Sequence, residues 1–146
     1  MSGVDFDPRS DHPLGTRRPD LLFTPGGVPL ADITLGALRA GDLDATDMRA
    51  TPETLGRQAA VARAAGREPL AAGLERASEL ARVPAETMLE IYTALRPHRS
   101  TRAQLEAWAQ RLEDEFEAPA TAAFVREAAA VYAERAMVKE DDRAEI

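Results

Sequence analysis

The residues of this sequence best suited to bind a metal or to transfer a proton near neutral pH are its two histidines, His12 and His98. A metal site built on helices needs His, Asp or Glu ligands three or four positions apart on an inward face, as in a Glu-x-x-His pair. Neither histidine has such a partner, because His12 lies in a Pro-rich segment and His98 directly follows Pro97. We therefore expect both histidines to be solvent or interface residues.

Paired carboxylates and nucleophiles also lack a catalytic arrangement. Glu113, Asp114 and Glu115 are consecutive, so a helix would spread them around its surface instead of into one shielded pocket, where their pKa could rise. Gly26-Gly27 is not followed by the Lys-Ser/Thr of a phosphate-binding loop and predicts a turn. Three serines have no nucleophile-elbow context: Ser10, Ser78 and Ser100. We expect no catalytic, cofactor-binding or metal-binding residue in this chain.

The composition excludes several classes of partner and chemistry. A formal net charge of −7 disfavours binding to nucleic acid or to an anionic membrane, since phosphates attract a basic surface. The chain has no cysteine, which excludes disulfides, thiolate nucleophiles and zinc-thiolate sites. Aromatic residues make up only 5% of the chain, so the core must be built chiefly from Ala, Leu and Val. Burial in such a core contributes little stabilising free energy, and docking onto a larger protein would compensate for this.

The N-terminal residues do not match a signal for export. The start MSGVDFDPRSDHPLG has acidic residues and prolines where a secretory signal needs a basic start and an apolar stretch. No run approaches the roughly 20 apolar residues that span a bilayer, so we expect a cytoplasmic protein. Residues 1–30 predict an extended arm, which is either a disordered tail or a strap that contacts a neighbouring subunit through Leu21, Leu22 and Phe23.

Capping residues mark the limits of the helices that follow the arm. Thr51 and Pro52 form a start signal, Gly66 a stop signal, and Thr101 and Gln104 have the spacing of a capping box. One or two helical turns are predicted at residues 32–39, and the predicted helices cover residues 52–65, 68–82, 84–97, 101–118 and 119–137. The fold class is therefore all-α, a small helical domain of about five helices with an extended N-terminal arm. We expect an arm at residues 1–30, a helical domain at 31–138 and a charged C-terminal tail at 139–146.

Four of these helices carry an apolar stripe that we expect to face the core. The stripes are Leu70, Leu74, Ala77 and Ala81; Met88, Ile91, Tyr92 and Leu95; Leu105, Trp108, Leu112 and Phe116; and Phe124, Ala128, Val131 and Tyr132. The first helical hairpin also has a locally basic side, formed by Arg57, Arg63, Arg67 and Arg76. These arginines either balance the acidic fourth helix or form ion pairs with another subunit.

Four motifs, taken in their order along the chain, resemble a single protein family. They are DMRATPETLGRQAAVARAAGR, LERASELARVP, LEIYTALRPHRST and FVREAAAVYAER, and the similarity covers residues 35–135. The run LEIYTALRP, followed after His98 by RST, is more specific than an amphipathic pattern alone would produce. The chain is similar to the small subunit of adenosylcobalamin-dependent propanediol and glycerol dehydratases.

This resemblance implies the activity of an assembly, to which the isolated chain contributes no catalysis. In the family, two copies each of a large, a medium and a small subunit form an (αβγ)₂ heterohexamer. The large subunit is a TIM barrel that holds the substrate, and adenosylcobalamin lies between the large and medium subunits. The radical reaction converts a 1,2-diol into an aldehyde and water, while the small subunit stabilises the large one.

If the chain is such a subunit, we expect two segments to contact the other subunits, residues 47–53 and 92–100. The residues selected are Asp47, Met48, Arg49, Thr51, Glu53, Tyr92, Arg96, Pro97, His98, Arg99 and Ser100. Tyr92 has a second interpretation as an ordinary core residue. A freestanding helical adaptor or regulatory protein is the alternative function.

The sequence departs from familiar members of the family at two places. Its N-terminal arm is Pro-rich and lacks the amphipathic helix of a microcompartment targeting peptide, so encapsulation in a bacterial microcompartment is not supported. His98 stands in a loop where many relatives have an aromatic residue. We expect the fold and the assembly to tolerate that change.

Overall fold

The computed structural model describes residues 5–140 as helices joined by turns and loops, which confirms the predicted all-α class. The only β-type pairing within this range is an isolated bridge between Phe23 and Pro29. The chain divides after Ala81 into two units. The predicted division at residues 30 and 138 stays a prediction, and residues 141–146 of the predicted charged tail lie outside the described range.

Within residues 5–81, the first unit contains four α-helices and two 3-10 turns. These elements are α1 (Leu14–Arg17), the turns Pro19–Leu21 and Leu30–Asp32, α2 (Leu35–Ala40), α3 (Pro52–Ala64) and α4 (Glu68–Leu80). The extended arm predicted for residues 1–30 is not what the structure shows between residues 5 and 30. That segment contains helical turns, buries Leu14 and Leu21, and accepts a 3.1 Å hydrogen bond from Arg57 of α3 at the Leu21 carbonyl.

The helical hairpin of α3 and α4 begins and turns where its capping residues predict. Thr51 Oγ1 accepts a hydrogen bond from the Thr54 amide, and Gly66 has a φ of 73°, a conformation that glycine adopts without strain. Small side chains, among them the buried Ala59 and Ala71, allow the two helices to pack closely. The Ser78 hydroxyl donates to the Pro52 carbonyl at 2.8 Å and joins the far ends of the hairpin.

Two predicted core residues of this hairpin, Leu70 and Ala81, are exposed. Leu70 is 48% exposed, whereas its neighbour Ala71 is fully buried, so the expectation that Leu70 belongs to the core is wrong. The face that packs on α3 is centred about one residue further along the helix than the predicted stripe, because several alanines make neighbouring stripes equally apolar.

As far as residue 140, the second unit contains three helices: α5 (Ala85–Ala94), α6 (Arg102–Phe116) and α7 (Pro119–Glu134). The predicted capping box of α6 is confirmed, since Thr101 Oγ1 accepts from the Gln104 amide and Gln104 Oε1 accepts from the Thr101 amide. Leu105 and Leu112 of α6 are fully buried against α7. The whole core consists of Ile91, Leu105, Ala109, Leu112, Ala118, Ala122, Val125 and Ala129.

Two of the predicted stripes in this unit need correction. On α7, Val125 is fully buried and Phe124 is 43% exposed, so the core face is turned by one residue from the predicted one. On α5, Ile91 is buried but Tyr92 is 55% exposed, so the interpretation of Tyr92 as a core residue is wrong. Tyr132 does pack against the core, and its hydroxyl donates to the Leu95 carbonyl at 2.6 Å.

An ion-pair network joins the outer faces of α6 and α7. Arg126 of α7 donates to Glu106 at 2.8 Å and to both carboxylate oxygens of Glu113 at 2.7 and 2.9 Å. These bonds lower the pKa of the Glu113 carboxyl and raise the pKa of Arg126. Glu113 is therefore part of a bidentate ion pair, in addition to lying on the predicted acidic face.

Candidate subunit interface

The first candidate contact segment, residues 47–53, is a loop that leads into α3, and Asp47 fixes its conformation. The Thr24 hydroxyl donates to Asp47 Oδ1 at 2.7 Å, and the Asp44 amide donates to Asp47 Oδ2 at 3.1 Å. These two bonds, in that order, lower the pKa of the Asp47 carboxyl. Because Thr24 is buried, the carboxylate holds the loop against the turn at residues 24–28.

The side chains of this segment have different surroundings. Met48 is 55% exposed, and Arg49 and Glu53 are exposed as well. The Thr51 side chain caps the N-terminus of α3, and its hydroxyl donates to the Thr54 hydroxyl at 2.9 Å. Met48 and Arg49 are consequently the side chains of this loop that are best placed to reach another molecule.

Substituting Gly26 by alanine should loosen this loop. A Cβ at Gly26 would lie 2.6 Å from Asp47 Oδ1, so the carboxylate would have to move away from Thr24 and Asp44. We expect Gly26→Ala to lower the midpoint of thermal unfolding by several degrees, measured by circular dichroism. Gly15→Ala is the matched control, because its Cβ would meet only Leu30 Cδ2, at 3.9 Å. Equal midpoints for the two variants would contradict this role of Asp47.

The second candidate segment, residues 92–100, includes the last turn of α5 and the loop before α6. Ser100 is buried, and the side chains of Arg96, His98 and Arg99 are exposed. The loop is tied to the C-terminal end of the second unit by two backbone hydrogen bonds. The His98 amide donates to the Met137 carbonyl at 2.7 Å, and the Lys139 amide donates to the Ser100 carbonyl at 2.9 Å.

Beside this loop, α5 and α6 form an open groove of about 720 Å³. The groove is lined by Leu89, Glu90, Thr93, Ala94, Arg99, Ser100, Gln104, Ala107, Trp108 and Arg111. Two of its features escaped the sequence analysis. Leu89 is 67% exposed although it is a large apolar residue, and Arg111 lies over the Trp108 ring with its guanidinium carbon 5.1 Å from the ring centre. The sequence does contain a signal that groups Leu89 with the candidate segment, because Leu89 stands three positions before Tyr92 on the same side of α5.

Residues 47–53 and 92–100 belong to different units, and each is described by itself. Between residues 5 and 140, no group of three or more His, Asp or Glu side chains is placed to hold a metal ion. The geometry of both segments, with exposed apolar and arginine side chains on anchored loops, is suited to contact with another protein.

Comparison with known proteins decides the family. The model of the dehydratase small subunit family matches residues 8–139. The chain belongs to this family. Its sequence is 49% identical over 133 residues to the propanediol dehydratase small subunit of Salmonella typhimurium strain LT2. The alignment covers 91% of this chain and 77% of the relative. A propanediol dehydratase small subunit from Citrobacter freundii matches with the same identity and coverage.

Family membership confirms the resemblance predicted from the four motifs, and it makes this chain a subunit of a dehydratase enzyme complex. The match also extends beyond the predicted range of residues 35–135 to include the helical turns before α2. Among residues 5–140 of this dehydratase small subunit, the helices are too short or too polar to cross a membrane.

Proposed function

We propose that this dehydratase small subunit is the non-catalytic γ subunit of an adenosylcobalamin-dependent diol dehydratase that converts propanediol or glycerol into an aldehyde and water. It stabilises the large catalytic subunit in an (αβγ)₂ assembly that also contains a medium subunit. The single observation that carries this proposal is the 49% identity with propanediol dehydratase small subunits over 91% of the chain. We further propose that the assembly works in the cytoplasm.

Adenosylcobalamin supplies the radical chemistry when it is bound, and we assign its binding to the companion subunits. The described residues support this assignment. His12 and His98 are both exposed, and neither lines the groove between α5 and α6. A site for so large a cofactor would need an enclosed cavity with convergent polar groups, whereas this groove is open along one side of the unit.

A stabilising subunit acts by mass action, since it binds the folded form of its partner and not the unfolded form. The exposure of Met48 and Tyr92 supports a role for residues 47–53 and 92–100 in such binding. Covering large apolar side chains with a partner lowers the free energy of the complex. A freestanding adaptor would place the same residues on a surface that serves unrelated partners.

Co-expression of the large and medium companion subunits, with and without this chain, tests the proposal. We expect the three chains to copurify, and we expect omission of this chain to reduce the recovered B12-dependent aldehyde formation roughly tenfold or more through loss of folded large subunit. Adding back purified small subunit during refolding is the control for expression effects. The proposal is wrong if the large and medium subunits have the same yield, thermal midpoint and turnover without this chain, or if the isolated chain turns over a diol.

A further inference from the structure

The junction between α5 and α6 carries three arginines that have no acidic partner among residues 5–140. Arg96 follows α5, Arg99 lines the groove and Arg102 is the first residue of α6, and all three side chains are exposed. In the part of the chain that the structure describes, none of them forms a salt bridge, whereas Arg111 and Arg126 do. Arg96, Arg99 and Arg102 therefore form a local concentration of positive charge in a chain whose net charge is −7.

The position of Arg102 strengthens this observation. Cations are unfavourable at the N-terminus of a helix, where the backbone already presents partial positive charge, and the first turn of α6 contains no acidic residue to balance it. Local stability therefore does not explain the arginine. A residue that breaks a local rule without a compensating contact within its own unit indicates a function outside it.

Apolar side chains lie next to these cations. Leu89 and Tyr92 stand three positions apart on α5 and are 67% and 55% exposed, and Arg96 continues the same side of the helix. Across the groove, Trp108 is partly buried and packs on the core with its outer face toward the Arg111 guanidinium. The lining of the groove thus places the apolar Leu89 and Trp108 together with Arg99 and Arg111, and apolar side chains with arginines are typical of a protein interface.

The loop that carries the arginines is also fixed in place. Its hydrogen bonds to Met137 and Lys139, together with the capping box of α6, hold residues 98–104 from both sides. A fixed loop loses little conformational entropy when a partner binds, so its charges can contribute to affinity and to the rate of association.

We propose that this surface, formed by Leu89, Tyr92, Trp108, Arg96, Arg99 and Arg102, is the docking site for an acidic patch on the large subunit of the dehydratase. An apolar side chain of that subunit enters the groove between Leu89 and Trp108, while Asp or Glu side chains around it pair with the arginines. The acidic character of the partner follows from the unpaired cations. This inference rests on the proposed function, because it names the partner surface that the small subunit recognises.

The test measures binding of the purified large subunit to immobilised full-length small subunit, for the wild type and for single variants. Arg99→Glu should weaken binding roughly tenfold or more at low salt, and the loss should shrink as salt rises, since rim charges act through screened electrostatics. Leu89→Ala should weaken binding without changing the salt dependence. Arg17→Glu is the matched control, because Arg17 is an exposed arginine on α1 and the charge change is the same.

The outcomes separate this inference from the proposed function. If the wild-type chain binds the large subunit and neither Arg99→Glu nor Leu89→Ala weakens it beyond Arg17→Glu, the docking site lies elsewhere and the inference is wrong, although the proposed function stands. If the wild-type chain does not bind the large subunit at all, the proposed function itself fails. If Leu89→Ala instead abolishes a dimer of the isolated small subunit, the surface serves self-association and the inference is overturned.

Discussion

The substitution Leu112→Ala is expected to destabilise the second unit by about 2–5 kcal/mol. Leu112 is fully buried in the core that α6 and α7 share, in the same cluster as Leu105 and Val125. Removing its side chain forfeits the transfer free energy of the deleted groups and leaves a cavity, which the neighbouring alanines cannot fill because they have no rotamers to change. Urea denaturation followed by fluorescence measures the loss, since the single tryptophan, Trp108, lies in this unit.

Leu89→Ala provides the matched control for this experiment, because it makes the same chemical change at a position that is 67% exposed. Its effect on the free energy of unfolding should stay within about 0.5 kcal/mol. Equal losses for the two variants would mean that α6 does not bury Leu112 as the structure shows. A large loss for Leu89→Ala alone would also remove the basis for placing that side chain on a docking surface.

The helix limits were largely predictable because the signals that set them are local. Thr51 with Pro52, Gly66, and the pair Thr101 and Gln104 each act on backbone groups within four residues, so sequence spacing is enough to place them. The predicted ends of α3 and α6 accordingly agree with the structure to within about two residues, the usual uncertainty of a helix terminus.

The helix faces were harder to predict because alanine occupies several sides of the same helix. On α7 the residues Ala122, Ala129 and Ala130 all satisfy an apolar pattern, yet only Ala122 and Ala129 are buried. The prediction placed the larger Phe124 on the core face, whereas the structure shows this side chain partly exposed. Periodicity identifies the face only when the polar residues mark its opposite side.

Contacts between distant residues could not be predicted at all from spacing. The bond from Thr24 to Asp47 joins residues 23 positions apart, and the bond from Tyr132 to Leu95 joins residues 37 apart. The same limit applies to the candidate interface. Sequence resemblance selected Arg96 to Ser100, but it gave no sign of the groove in which the fold brings Arg99 and Ser100 together with Leu89 and Trp108.

The corrected face of α7 leads to the second prediction with a large effect. Ala122→Leu adds a branched side chain at a position with no exposed surface, where α7 packs against α6. We expect the overpacked core to cost roughly 1–3 kcal/mol, because the helices must move apart or the leucine must adopt an unfavourable rotamer. The free energy of unfolding from Trp108 fluorescence is again the measurement.

Ala123→Leu is the control, one residue further along the same helix and exposed to solvent. Leucine and alanine have similar helix propensities, so this variant should unfold within about 0.5 kcal/mol of the wild type. The pair therefore determines the rotation of α7 directly. If Ala123→Leu were the damaging variant and Ala122→Leu the tolerated one, the helix would be turned so that Ala123 faces α6, and the core around Val125 and Ala129 would have to be drawn differently.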